Sequence, residues 1–124
     1  MSAPKTINIA EKFAQVQDQW TPHRIATFDD HQIFLARVEG DFVWHDHADH
    51  AEVFLPIKGV LLIDFEDGSV ARVAAGEVLV VPAGVKHRPR TEDGECQLLV
   101  LDPLVTKHTG DVKCDRTVEE FRVI

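Results

Sequence analysis

The chain has no tyrosine, and its 124 residues include only two cysteines, two tryptophans and one methionine. Without tyrosine, no mechanism that needs a phenol as acid, base or nucleophile is open to it. Cys96 and Cys114 lie apart and form no CxxC pair. In a reducing compartment both are expected as free thiols, Cys96 in the core; the alternative is a single disulfide pinning the C-terminal tail. Positive charge is also scarce, with 13 Lys and Arg against 21 Asp and Glu, for a formal charge of −8. That balance repels nucleic-acid phosphates and anionic lipid, and no basic run offsets it, so neither nucleic acid nor a membrane is an expected partner. No stretch approaches the ~20 apolar residues of a membrane span, and residues 1–6 lack the apolar run of a signal peptide. A soluble, cytoplasmic protein is expected.

A hydrophobic share of 44% is enough to build a core, and the length suits one domain over residues 1–124, with a barrel core at about 24–102. Residues 8–15 predict a short helix, capped by Asn8 with Glu11 three residues later. After Pro22 the pattern changes to short β-prone runs at 24–28, 32–38, 42–45, 53–57, 60–65, 70–73, 78–81 and 97–101. Turn residues separate them, and Asp67-Gly68 is a hairpin signal. Pro82 and Pro89 flank a segment that cannot be a fully paired central strand. Such punctuation predicts an all-β sandwich or barrel. From Asp102 to Asp115 the tail is polar and irregular, and Thr117 with Glu120 could open a last helical turn through Phe121.

The seven histidines carry most of the chemistry. On a strand, residues two apart share a face, so His45 and His47 project together. Glu52 follows after four residues that allow a turn. Imidazoles with a carboxylate form the ligand set of zinc, iron, manganese and nickel sites. A second stretch, Gly76 to His87, has an apolar run and then Pro82-Ala83-Gly84, a turn that would point His87 back into the barrel.

Together these spacings resemble the two motifs of the cupin superfamily. The first falls on His45, His47, Glu52 and Gly59, with Gly40 one residue closer than usual; the second falls on Gly76, Pro82, Gly84 and His87. Thr91 stands where the family often has asparagine. The likeness covers roughly residues 30–102 and is greatest to small bacterial single-domain cupins of the mannose-6-phosphate-isomerase-like group, whose endings Thr109-Gly110-Asp111 and Arg116-Thr117 also resemble. It implies a double-stranded β-helix of jelly-roll type holding one divalent metal (Fe, Mn, Ni or Zn) on His45, His47, Glu52 and His87.

Strand parity sorts the neighbours of these residues. Val43 is expected on the inner face with His45 and His47, while Phe42 and Trp44 face outward as an apolar patch for a homodimer. Val85 and Pro89 should share the face of His87, and Lys86, Arg88 and Arg90 should face away. His50 is expected in an exposed loop, or otherwise as a proton shuttle at the site mouth. His23, His31 and His108 are expected at the surface. Arg37 is expected either as an edge-strand charge or as a carboxylate-binding group in the pocket.

Four protein ligands leave up to two positions of an octahedron open to water, dioxygen or a substrate. The favoured reading is an iron-type oxygenase-like enzyme acting on a small molecule. A non-catalytic ligand-binding or sensing cupin is the alternative. A sugar isomerase or epimerase is the third, its epimerase form weakened by the missing tyrosine.

Overall fold

Past Pro22 the apolar side chains alternate, and the chain runs into strands almost without interruption. A computed structural model describes residues 3–106, 109–110 and 121–124. It begins with a helix, α1 (Ile9–Phe13), whose Asn8 side chain accepts from the Glu11 amide at 3.0 Å. The helix is shorter than the predicted 8–15. The strands are β1 (His23–Phe28), β2 (His31–Val38), β3 (Glu52–Lys58), β4 (Val60–Phe65) and β5 (Val70–Ala74). They continue with β6 (Leu79–Val81), β7 (His87–Arg90), β8 (Cys96–Pro103) and β9 (Arg122–Val123).

Two sheets face each other in an all-β barrel of jelly-roll type. The larger runs β6-β3-β8-β2-β1-β9 and the smaller β5-β4-β7. Asp67-Gly68 makes the β4–β5 hairpin, with Gly68 at φ 87° and Asp67 accepting from the Ser69 amide. Gly59 turns β3 into β4 at φ 87°, and a Cβ there would lie 2.6 Å from the Glu95 carbonyl oxygen, so only glycine fits without a shift.

Register stacks the inner face of the large sheet in layers. Gln32 pairs with Asp102, and continuing the β3–β8 register sets Glu52 level with them. The next layer is Phe34–Val100–Phe54, followed by Ala36–Leu98–Pro56, with Cys96 opposite Val38 below. Leu61, Ile63 and Val73 close the core from the small sheet. Phe121 enters the same core edge-on to Phe34, at 5.2 Å between ring centroids. The helical turn expected from Thr117 and Glu120 lies outside the described residues, as do Cys114 and His108; Cys96 is a free, buried thiol as expected. No described helix is long and apolar enough to cross a membrane.

On the outer face, α1 and the segment after it lay Phe13 and Val16 over Leu35 and Leu99. Arg37 joins this outer layer and matches neither of its two expected roles. It sits on β2, an interior strand rather than an edge, and faces away from the pocket. Its guanidinium donates to the carbonyls of Val16 and Phe13 at 2.6 and 2.8 Å and pairs with Glu95.

Candidate metal centre

The predicted strand at 42–45 does not form as a regular strand. The segment pairs with β7 only at Asp41–Arg90 and His45–His87, so simple alternation does not hold along it. Phe42 is buried in the core and stacked on Trp20, with centroids 4.5 Å apart. The predicted outward Phe42–Trp44 patch is therefore absent. Trp44 is half-buried, with the Arg88 guanidinium 5.4 Å from its ring centroid.

Around β7, parity holds. His87 and Pro89 are buried, while Arg88 and Arg90 turn away and share the Asp64 carboxylate at 2.8 Å each. Thr91 has its own function where the family pattern has asparagine. Its hydroxyl accepts from the Gly40 amide and its own amide donates to the Gly40 carbonyl, tying the two motifs together.

His45, His47, Glu52 and His87 converge. All four are buried, and one ligand atom from each lies within 4.8 Å of the others. His45 and His87 each use Nδ1 to donate to the carbonyl two residues earlier, Val43 at 3.0 Å and Val85 at 2.8 Å. That bond fixes the tautomer and turns the Nε2 lone pair to the centre. Nε2 of His47 lies 3.1 Å from Glu52 Oε1 and that of His87 3.7 Å. Neither nitrogen makes a hydrogen bond, although both are fully buried. Orphaned buried nitrogens facing a carboxylate are costly unless something electrophilic sits between them, so this donor set fits a divalent ion.

The local electrostatics suit coordination. Burial, and then the neighbouring His87, pull the His45 imidazole down to about 4, so it is neutral and ready to ligate. Burial alone would raise Glu52, but the imidazoles of His47 and His87 outweigh it and hold the carboxyl below the usual range.

Asp102 is a further site residue that the predicted irregular tail concealed. It closes β8 facing Glu52, and Gln32 donates to its Oδ1 at 2.8 Å. Arg24 donates in turn to Gln32, also at 2.8 Å. Burial, and then the Glu52 carboxyl, push Asp102 up to about 9. Raised in this way it can sit against the Glu52 carboxylate without a second negative charge, and its Oδ2 is buried and makes no hydrogen bond. The signal lay in the alternation: Cys96, Leu98 and Val100 face inward, so Asp102 must as well.

His50 stands beside the site, not in it. Its ring stacks on His47 at 4.9 Å and its Nε2 meets the Thr106 hydroxyl at 2.9 Å. His31 is exposed as expected, but His23 is 3% exposed, because Nδ1 donates to the Thr21 carbonyl as the chain enters β1.

An apolar cavity adjoins the candidate ligands His45 and Glu52, roofed by Trp20 and Phe42. Trp20 has a left-handed backbone at φ 56°, uncommon for an aromatic residue. Its amide donates to the Arg37 carbonyl at 2.7 Å and its indole nitrogen to the Glu39 carbonyl at 3.0 Å, which hold it there.

Comparison with known proteins agrees with this architecture. The family model of the cupin domain matches residues 33–102. A cupin-2 domain protein from Shewanella frigidimarina is 42% identical, with a TM-score of 0.76 over 78% of this chain and 93% of its own. Protein NMB1881 from Neisseria meningitidis is 33% identical, with a TM-score of 0.73 over 80% of this chain and 99% of its own. The Bacillus subtilis protein YdbB is 36% identical over 77 residues, 62% of this chain and 68% of its own.

Proposed function

The chain belongs to the cupin family, and on that footing we propose that it is a small metal-dependent enzyme of oxygenase type, holding one divalent transition metal on His45, His47, Glu52 and His87. The observation that carries the reading is the pair of buried, unpartnered Nε2 atoms on His47 and His87 facing Glu52. When bound, a redox-active ion such as iron supplies Lewis-acid and electron-transfer chemistry at its open positions. The chain supplies orientation: carbonyls of Val43 and Val85 set two imidazoles, and Gln32 holds Asp102 beside the carboxylate. The cavity wall is apolar and offers no acid or base besides His45 and Glu52, which leaves the chemistry to the ion.

Anaerobic loading with Fe(II), followed by oxygen-electrode measurement with small oxygenated compounds and thiols, tests this. Substrate-dependent oxygen uptake by the iron form and none by the zinc form is the expected result, because zinc has no second accessible oxidation state. Binding of the same molecule by Fe, Mn, Ni and Zn forms with turnover by none would leave the ligand-binding cupin in its place. Turnover by the zinc form would leave Lewis-acid catalysis.

The reading extends to a cytoplasmic homodimer acting on a free small molecule. Its support is the reduced Cys96 thiol and the outer face of the large sheet, where Ile33, Leu55, Ile57 and Leu101 remain only partly covered.

A further inference from the structure

We propose that the ligand of the metal centre is a molecule with one donor atom for the ion and an uncharged, branched aliphatic tail of about three or four heavy atoms, seated in the cavity under Trp20 and Phe42. The proposal rests on the metal reading above and adds the chemical class of the ligand. His45 and Glu52 form one side of the cavity, and every other wall residue is apolar. The layer Phe34–Val100–Phe54 lies directly beneath the ligand Glu52, and Ala36 and Leu98 lie under that. A carboxylate, phosphate or sugar hydroxyl placed there would lose its hydration and gain no partner.

The cations that could have paired with such a group are engaged elsewhere. Arg37 is held on the outer face by Phe13, Val16 and Glu95. Arg88 and Arg90 are on Asp64, and Arg24 is on Gln32. The Trp20 indole nitrogen, the polar atom nearest the roof, donates to the Glu39 carbonyl. The wall therefore disfavours sugar phosphates and small dicarboxylates.

Size follows from the same wall. The cavity is about 40 Å³, where one water needs roughly 10–15 Å³ and a benzene-binding apolar cavity measures about 150 Å³. By the water measure the space takes roughly three or four small heavy atoms, so an isobutyl group is the upper limit and an aromatic ring is too large. Ala36, the smallest side chain in the wall, leaves this space open, and the stacked Trp20 and Phe42 form another part of the wall.

The test keeps the metal-binding head constant and varies the tail. Co(II)-loaded protein is titrated anaerobically with 2-methylpropane-1-thiol, 3-sulfanylpropanoate and phenylmethanethiol, and the thiolate-to-cobalt absorption band is followed. The isobutyl thiol should bind about ten-fold tighter than the carboxylate thiol, the gain expected from burying roughly two methylenes. Phenylmethanethiol should be the weaker of the two neutral ligands. Ala36→Val should remove most of the isobutyl advantage. Val100→Ala should improve phenylmethanethiol binding by about ten-fold, and it tests the cavity independently if the first variant does not fold. Equal affinities for all three thiols, or a preference for the carboxylate, would overturn the ligand class and leave the metal site standing. Cobalt uptake without a thiolate band for any thiol would overturn the ligand class, and no uptake of cobalt, read from its own d–d bands before thiol is added, would overturn the metal reading itself.

Discussion

Replacing Arg37 should destabilise the fold through lost backbone hydrogen bonds rather than a lost ion pair. The guanidinium reaches back across the outer face to accept no substrate; it clamps the end of α1 and the turn after it. Two of its bonds go to the carbonyls of Phe13 and Val16, whose side chains are buried. Hydrogen bonds from a charged donor contribute about 1.5–3 kcal/mol each. Arg37 is partly exposed to water, at 22% of its side chain, so Arg37→Met should cost about 2–4 kcal/mol in all. The ion pair is a separate matter. Glu95 is 30% exposed, and such pairs contribute about 0–1 kcal/mol, so Glu95→Gln should cost less than about 1 kcal/mol. Arg37→Lys should recover less than half of the loss, because one ammonium cannot reproduce a planar fork that spans two carbonyls. Urea unfolding followed by circular dichroism reads all three variants on one scale. An Arg37→Met variant within about 0.5 kcal/mol of the parent, or a Glu95→Gln variant as damaged as Arg37→Met, would refute the clamp.

His47→Ala and Glu52→Ala should each lose most bound metal while the barrel stays folded, since the apolar core is built elsewhere; elemental analysis with circular dichroism checks both. Asp102→Asn should keep the metal because it keeps an acceptor for Gln32 and no charge beside Glu52, whereas Asp102→Leu should weaken affinity by about 10–100-fold in a chelator competition. The metal-free protein should lose stability on acidification. His45 is held at about 4 in the fold against 6.5 unfolded, so the unfolded chain binds the extra proton in that window, and stability falls by up to about 3 kcal/mol as pH drops from 6.5 to 4. A flat denaturation midpoint across the window would contradict this. Light scattering should give about twice the 13.9 kDa chain mass, and Leu55→Asp on the outer face should halve it; a parent protein at the chain mass excludes the dimer.

The four candidate ligands could be grouped from the sequence because strands have period two and the two motifs have fixed spacing. His45, His47, Glu52 and His87 needed no knowledge of the tertiary fold beyond a barrel that closes. Phe42 shows where that logic stops. Parity presumes a continuous ladder, but residues 42–44 have no regular pairing between the two bridges to β7. Freed from alternation, Phe42 turns in to meet Trp20. Arg37 was ambiguous for a related reason: a cation in an apolar run predicts an unusual neighbour, and only the fold reveals that the neighbour is the end of a helix about twenty residues earlier in sequence. His23 opens β1 with no apolar pattern to mark it as buried, and its Nδ1 is satisfied there by the Thr21 carbonyl.

Asp102 and the cavity follow from one arrangement. In the large sheet, every second residue of β2, β3 and β8 faces inward, and the polar ones occupy a single level: Gln32, Asp102 and Glu52. Below that level the same strands present only apolar side chains until Cys96. The barrel is thus polar in one layer and apolar in the rest. Concentrating the polar groups lets each satisfy another, Arg24 to Gln32 and Gln32 to Asp102, without spending core volume. Three atoms at that level remain unsatisfied, Nε2 of His47 and of His87 and Oδ2 of Asp102; each costs about 1–3 kcal/mol when buried, and the apolar layers beneath cannot relieve them. An ion at that level would relieve both nitrogens at once. Among the described residues the barrel that stabilises the fold therefore leaves one group able to hold a metal, with an apolar chamber immediately under it.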